Sequence, residues 1–297
     1  MLVSDLRTRF REEGITPSLI ADFQHHVMEF YAAKGRHDME WRHTEDPYRI
    51  VVSEVMLQQT QVPRVAVIYP KFIETFPDIY ALAKAEQADL LAAWQGMGYN
   101  RRALSLKKLA AVIVDEYGGK IPDDPMILKT LPGIGPATSC SIAAFAFNRP
   151  VVFIETNIRR VFIHYFFEEG MVVDDADLLP LISAMLPANS REWYWALMDL
   201  GTALKASVKN PNQRSKQYTK QKTFIGSDRK IRGEVLKKML VQKTGTPEVF
   251  AKEMNEDPGR VRRIMDKMAD EAFFVRESEH QYRLSGRSLD ESNTHQG

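Results

Sequence analysis

Apolar residues recur along this chain at helical spacing. Ile20, Phe23, Val27, Phe30 and Tyr31 fall on one face of a helix. A polar, irregular stretch follows from Lys34 and ends at Pro47. Beyond it, apolar runs with short polar joints predict helices over residues 48–60, 62–76, 79–83, 87–94 and 101–117. Two more are expected over 175–185 and 192–204. Period-two alternation is almost absent before residue 270, so the expected class is mainly α. VVFIE, at residues 151–155, has β-branched residues but reads as an extended lead into a helix that starts near Thr156. Either Thr156 or Glu155 then sits at that helix's N-terminus, where the macrodipole stabilises a carboxylate.

The stretch LKTLPGIGPATSCSIAA, from Leu128 to Ala144, breaks this rhythm. One apolar run ends at Leu131, the turn Pro132-Gly133-Ile134-Gly135 follows, and a second run begins. Glycine at 133 and 135 lets the backbone bend and removes Cβ atoms that would block a close approach. The N–H groups of the turn and of the second helix's first residues then form an anion site suited to a DNA phosphate. An ordinary connection between two helices is the plain alternative, because LPGxG is a short pattern. Two carboxylates shift the balance toward DNA chemistry: Glu155 in FIETNIRRV downstream, and Glu54 in VSEVMLQQTQV upstream.

A length of 297 residues allows one large or two to three small domains. The formal net charge of +1 does not announce a nucleic-acid partner, so local charge must be read instead. Lys205, Lys209, Arg214, Lys216, Lys220, Lys222, Arg229, Lys230 and Arg232 crowd one segment that holds a single acid, Asp228. A solvated linker and a phosphate-binding strip both fit that run. The single cysteine, Cys140, excludes an intramolecular disulfide and reads as a small buried hydrophobe. His25 and His26 suit solvated or capping roles rather than a metal. No apolar run is long enough to span a membrane, and the first residues lack the apolar core of a secretory signal. The expected compartment is therefore a reduced intracellular one, cytoplasmic and nucleoid-associated.

The C-terminal part reads as a separate module. Ile231, Val235, Leu236, Met239 and Leu240 mark one helix. Thr246-Pro247 and Asp257-Pro258 each open another, with a capping side chain followed by proline at the first helical position. Short strands are expected near 273–276 and 281–284. Three helices and a two-stranded wing predict a winged helix-turn-helix, with Arg260, Arg262, Arg263 and Lys267 on the recognition helix. Such a module binds DNA or protein, and the pattern alone leaves the partner open.

Several segments together resemble the MutY-type adenine glycosylases of the helix-hairpin-helix, endonuclease III-like superfamily. They are Trp41-Arg42 with Pro47-Tyr48, SEVMLQQTQV from Ser53 to Val62, GMGY from Gly96 to Tyr99, LPGIG, and MDLG from Met198 to Gly201. The resemblance covers about half the chain, and SEVMLQQTQV is its most specific part. It implies a two-lobed helix-hairpin-helix core followed by the small winged module. The expected division is a discontinuous helical lobe of residues 1–47 and 150–226, a six-helix lobe of 48–149 with the hairpin, a winged domain of 227–286 and a disordered tail of 287–297.

The resemblance also assigns roles. Excising a base needs extrusion from the stack, a proton for the leaving base and a negative charge near the sugar cation. Glu54, in an apolar stretch that should raise its pKa, matches the glutamate that protonates adenine at N7. Glu155 matches the electrostatic partner, where the family normally has aspartate, and Asn157 matches a supporting position. Gln59, Thr60 and Tyr99 match residues at the duplex, with Gln59 and Tyr99 entering beside the opposite base. Leu131, Gly133 and Gly135 belong to the phosphate-binding hairpin, and Arg42 and Asp199 to the base pocket. Ala137 stands where strand-cleaving relatives carry a lysine nucleophile, which implies a monofunctional enzyme. Many relatives hold an iron–sulfur cluster on four cysteines. One cysteine cannot do so, and no cofactor is expected. The expected partner is double-stranded DNA with a mismatched or damaged base pair. Two rivals remain open: a glycosylase for thymine or uracil opposite guanine, and a non-catalytic DNA-binding protein on the same scaffold.

Overall fold

The computed structural model describes residues 3–219 and 226–285. The described residues are mainly helical, with one small sheet near the C-terminus. The chain divides into two compact units, Met1–Glu54 with Ile121–Lys220, and Val55–Lys120 with Gln221–Gly297. This division departs from the expected lobes. The hairpin belongs with the first helices of the chain, and residues 55–120 share a unit with the winged module.

In the first unit, α1 (Val3–Glu13) is strongly polar and buries only Leu6 fully, which is why apolar runs did not reveal it. Leu6 anchors it, and Arg7 Nη2 donates to the carbonyl of His164 at 2.5 Å. α2 (Pro17–Lys34) starts on the Thr16 cap and buries Leu19, Phe23, Val27 and Tyr31, four residues apart each time. Ile20 and Phe30, expected on that face, lie at its edge. His25 is exposed beside Glu29, whereas His26 bonds the Tyr165 hydroxyl at 2.8 Å.

α3 (Pro47–Leu57) opens on Asp46, whose carboxylate accepts from Tyr48 N–H at 2.9 Å. α8 (Pro125–Leu128) and α9 (Pro136–Phe147) form the hairpin. α9 buries Ile142, Ala143, Ala144, Phe145 and Ala146 in succession, so it runs through the core and not along its edge. α10 (Thr156–Phe166), α11 (Asp175–Ala184) and α12 (Ser190–Ser207) complete the unit. Phe23 meets Phe162, Phe166 and Trp193 edge-on at 5.5, 4.9 and 6.0 Å between ring centroids. The start of α10 lies against α12 at Gly201, where a Cβ would come within 2.5 Å of the Asn157 carbonyl oxygen. Only glycine permits that approach.

In the second unit, α4 (Val62–Thr75), α5 (Ile79–Lys84), α6 (Gln87–Ala93) and α7 (Arg101–Tyr117) pack around Tyr69, Phe72, Leu82, Leu90, Trp94 and Leu109. The winged module follows the expected order, α13 (Asp228–Gln242), α14 (Pro247–Met254) and α15 (Pro258–Asp270), with caps at Thr246 and Asp257. Its wing has three strands instead of two. β1 (Thr244–Gly245) pairs with β3 (Tyr282–Leu284), which also pairs with β2 (Phe274–Arg276), all antiparallel. β1 is two residues long, too short to show alternation, and exists only through its distant partner. Gln87 Nε2 donates to the Ala272 carbonyl at 2.8 Å, joining α6 to the module.

The basic segment is more structural than its charge run implies. Arg214 donates to the carbonyls of Ile163 and Phe167 at 2.9 and 3.1 Å, so it caps the end of α10. Lys216 pairs with Asp174 at 3.2 Å. Lys220, Lys222 and the tail of 287–297 lie outside the described residues. On α15, Arg260 pairs with Asp228 and Glu256, and Arg262 with Glu248, while Arg263 and Lys267 are exposed.

Candidate active site

The two carboxylates come from the ends of two elements of the first unit. Glu54 lies on α3 between the buried residues Ser53 and Val55 and is itself partly buried. Its Oε2 is 2.6 Å from Ser141 Oγ, on α9. The same hydroxyl lies 3.0 Å from the Thr138 carbonyl oxygen. One hydroxyl proton cannot fully serve two acceptors. Ser141 therefore shares its proton between the Glu54 carboxylate and the Thr138 carbonyl. Burial pushes the Glu54 carboxyl up to about 7, the Ser141 hydrogen bond opposes this, the charge of Glu155 adds to it, and Arg42 pulls it back.

Glu155, not Thr156, caps α10. Its Oε1 accepts from the N–H groups of Asn157 and Ile158 at 2.6 and 2.9 Å. Its Oε2 faces Asn157 Nδ2 at 3.4 Å. The longer glutamate therefore still performs the cap for which aspartate is the usual residue. Burial raises the Glu155 pKa, and this outweighs the two N–H bonds and the charges of Arg160 and Arg159. The expectation that the helix start favours its ionised form is corrected in direction, because desolvation exceeds the benefit of the helix end.

Asn157 Oδ1 accepts from Arg160 Nη1 at 2.7 Å, and the same nitrogen donates to the Gly201 carbonyl at 2.7 Å. A buried guanidinium thus fixes the residue beside Glu155. Arg42 and Asp199 meet as partners of each other. Arg42 Nη1 and Nη2 donate to the two Asp199 oxygens at 2.8 and 2.9 Å, and Arg36 adds its backbone N–H and Nε, both at 2.7 Å. The Arg42 and Asp199 side chains are only 5% and 1% exposed. Burial by itself would raise the Asp199 pKa, but the bonds and charges of Arg42 and Arg36 bring it below its usual value. Arg42 also stacks near Trp195 and Tyr31, at 5.5 and 5.9 Å from their centroids.

At the hairpin, Gly133 has φ +81°, which requires glycine. Gly135 has φ −91° and caps α9, so the bend does not need it, correcting that expectation. A Cβ there would meet nothing within 4 Å. The Leu131 side chain is 4% exposed, so it packs inside and only its backbone is available at the turn. Gly135, Pro136 and Ala137 are exposed, at the helix end whose N–H groups have no intrahelical acceptors. Cys140 is half-buried, and burial raises its thiol pKa, as suits a packing residue.

Gln59, Thr60 and Tyr99 belong to the second unit. Gln59 is exposed and Tyr99 is 37% exposed. The Thr60 hydroxyl instead accepts from Arg102 Nη2 at 2.9 Å, so it is held by its own protein.

The profile of HhH-GPD superfamily base excision DNA repair proteins matches residues 52–176. The chain is 34% identical over 234 residues to an adenine DNA glycosylase of Mycobacterium tuberculosis (strain CDC 1551 / Oshkosh), covering 68% of this chain and 74% of that protein. It is 31% identical over 275 residues to the adenine DNA glycosylase of Mycolicibacterium smegmatis, covering 85% of this chain and 92% of that protein. The chain belongs to the HhH-GPD superfamily of base excision DNA repair proteins. A solved thermostable thymine-DNA glycosylase superposes with a TM-score of 0.57 at 26% identity, covering 65% of this chain and 91% of that one.

Within this HhH-GPD chain, sequence reasoning missed Ser141, Arg160 and Arg36. Ser141 carried a readable signal, since it lies one helical turn beyond Ala137 on the same face. Arg160 stands in FIETNIRRV, but its bond to the Gly201 carbonyl spans 41 residues, and Arg36 stands in no motif, its partner Asp199 being 163 residues away. Among the described residues, no group of three or more His, Cys, Asp or Glu is placed to hold a metal ion.

Proposed function

We propose that this chain is a monofunctional adenine DNA glycosylase that acts inside the cell on adenine paired with 8-oxoguanine or guanine in duplex DNA. The observation that carries the reading is Glu54, a carboxyl that burial places near pKa 7 while the charge of Glu155 acts on it. Glu54 gives its proton to N7 of the extruded adenine. The C1′–N9 bond breaks and its electron pair leaves with the base. Glu155 faces the sugar cation, and water adds to C1′, releasing a proton. Asn157 and Arg160 keep Glu155 in place, and Ser141 orients Glu54. The hairpin grips a phosphate through the exposed N–H groups around Gly135. Gln59 and Tyr99 enter the duplex from the second unit. With one cysteine, the enzyme works without a four-cysteine iron–sulfur cluster. With alanine at 137, it leaves the strand intact after base release.

The names of the two mycobacterial relatives support adenine as the base. The likeness to a thymine-DNA glycosylase favours thymine opposite guanine as the second reading. Single-turnover release of free base should be compared on duplexes with adenine opposite 8-oxoguanine, adenine opposite guanine, and thymine or uracil opposite guanine. Release of adenine from the first two is expected. Release confined to thymine or uracil selects the second reading. No release from any duplex leaves a DNA-binding scaffold.

A further inference from the structure

Gln59 and Tyr99, the two residues placed at the duplex from the second unit, share a backbone peculiarity. Their φ values are +55° and +46°. Side-chain-bearing residues rarely occupy this left-handed region, and they stay there only when their surroundings hold them. Asn148 and Asn255, also left-handed, simply close helices. Gln59 lies two residues beyond the end of α3, where helices commonly turn left-handed, whereas Tyr99 precedes α7 and closes no helix, so helix closure does not account for the pair.

One side chain touches both loops. Arg102 Nη1 donates to the carbonyls of Val55, Met56 and Gln58 at 2.9, 2.8 and 2.6 Å. Its Nη2 donates to Thr60 Oγ1 at 2.9 Å and to the Gly98 carbonyl at 3.1 Å. Gln58 and Thr60 flank Gln59, and Gly98 precedes Tyr99. The guanidinium also lies 5.4 Å from the Trp94 centroid and 5.6 Å from that of Tyr99. Val55 and Met56 lie in the last turn of α3, so the cation also caps a helix C-terminus. Burial draws the Arg102 pKa down to about 10, far enough above neutrality that it stays charged. The planar fork reaches five acceptors on two segments, which a lysine ammonium cannot span.

We propose that Arg102 is a positioning residue that clamps the two loops together, holding Gln59 and Tyr99 in the strained conformation from which they enter the duplex as the base leaves it. This rests on the glycosylase reading above. The ordering of both loops is complete before DNA arrives, so binding energy is left for extrusion.

The test uses the full chain and two variants. Arg102→Met removes the fork at similar length, and Arg102→Lys keeps the charge without the geometry. In the free protein, amide exchange of residues 58–60 and 97–99 should quicken together by about tenfold in Arg102→Met, with the rest of the fold unchanged. Extrusion is then read with 2-aminopurine in place of the target adenine, opposite 8-oxoguanine, with Glu54→Gln blocking chemistry. Arg102→Met should lose most of the fluorescence rise, and Arg102→Lys an intermediate part. Binding to a duplex with a tetrahydrofuran abasic analogue, which has no base to extrude, should change less than about threefold. Unchanged exchange in either loop overturns the clamp, as does an undiminished rise. Equal losses on both duplexes, with general destabilisation, show a structural arginine only and overturn it too. If Arg102→Met does not fold, Arg102→Lys decides by the same readouts. Failure of the glycosylase reading is distinct, because wild-type protein would then release no base and extrude no 2-aminopurine.

Discussion

Glu54 is the residue whose chemistry can be read most directly in solution. If it acts as the acid, single-turnover adenine release should fall roughly tenfold per pH unit once pH exceeds about 7, the value to which burial raises it. Ser141→Ala removes a donor that favours the carboxylate, so this break should move to higher pH. A break unmoved in Ser141→Ala would show that Ser141 does not tune Glu54. The same raised pKa affects stability. Below pH 4.5 the carboxyl is protonated in both folded and unfolded chains and has no effect. Between 4.5 and about 7 the unfolded chain loses its proton first, so stability falls as pH rises, and the full penalty applies above 7. Glu54→Gln should therefore abolish base release yet stabilise the fold by roughly 1–3 kcal/mol at pH 8 and hardly at all at pH 4, measured by urea denaturation. Gly135 supports a different prediction. Its φ is ordinary and a Cβ there meets no protein atom, so nothing within the fold explains the glycine. Gly135→Ala should leave the melting temperature unchanged and weaken binding to all duplexes alike, about tenfold or more, if the hairpin grips a phosphate as proposed. Unchanged affinity in a titration would remove the hairpin from the DNA interface.

At the scale of elements, α12 is held to the segment before α3 by one carboxylate. Asp199 balances Arg36 and Arg42 in a nearly dry setting. Asp199→Ala leaves two buried or half-buried cations without a counter-charge, and the expected loss is about 3–5 kcal/mol in chemical denaturation. A loss below about 1 kcal/mol would show that water reaches the pair and that its contribution is that of a surface pair. The MDLG motif pointed to this aspartate, but the sequence assigned it to a pocket. Asp199 and Arg36 are 163 residues apart, so no local pattern could show that the bonds of Asp199 are already taken up. Leu131 and Thr60 repeat the lesson. Each sits in a motif expected at the duplex, yet the Leu131 side chain and the Thr60 hydroxyl turn inward.

At the scale of the molecule, the winged module belongs to the unit that contains α4 to α7. Its links to that unit include the Gln87–Ala272 bond and the approach of Arg101 to Glu271 at 3.9 Å. The first is an exposed polar contact, worth about 0–1 kcal/mol, and the second reaches the mostly buried Glu271 only at the outer limit of an ion pair. A chain ending at residue 226 should still fold, with stability lower by about 1–2 kcal/mol by calorimetry. An insoluble product would mean that the module is part of the core of its unit. The Arg229 guanidinium lies 5.5 Å over the Tyr99 ring, so the same truncation also uncovers a residue proposed to enter the duplex.

The sequence by itself determined what local chemistry controls. The starts of α14 and α15 followed from a capping side chain at the preceding residue with proline in the first helical position, and α10 began near Thr156 as expected, with the choice of Glu155 as its cap left to the structure. α7 ran over Arg101–Tyr117 as its apolar spacing predicted, and the single cysteine ruled out a four-cysteine cluster. The two carboxylates were legible because each lies in a motif whose order along the chain is distinctive. Only the tertiary structure decided how those groups behave. The proton affinity of Glu54 depends on burial and on Ser141, 87 residues away. The upward shift of Glu155 arises because desolvation exceeds the effect of its own helix end. The left-handed turns at Gln59 and Tyr99 persist where one arginine gathers acceptors from two loops. Caps and periodicity are properties of neighbouring residues, whereas pKa values, ion pairs and strain depend on groups that folding alone brings together.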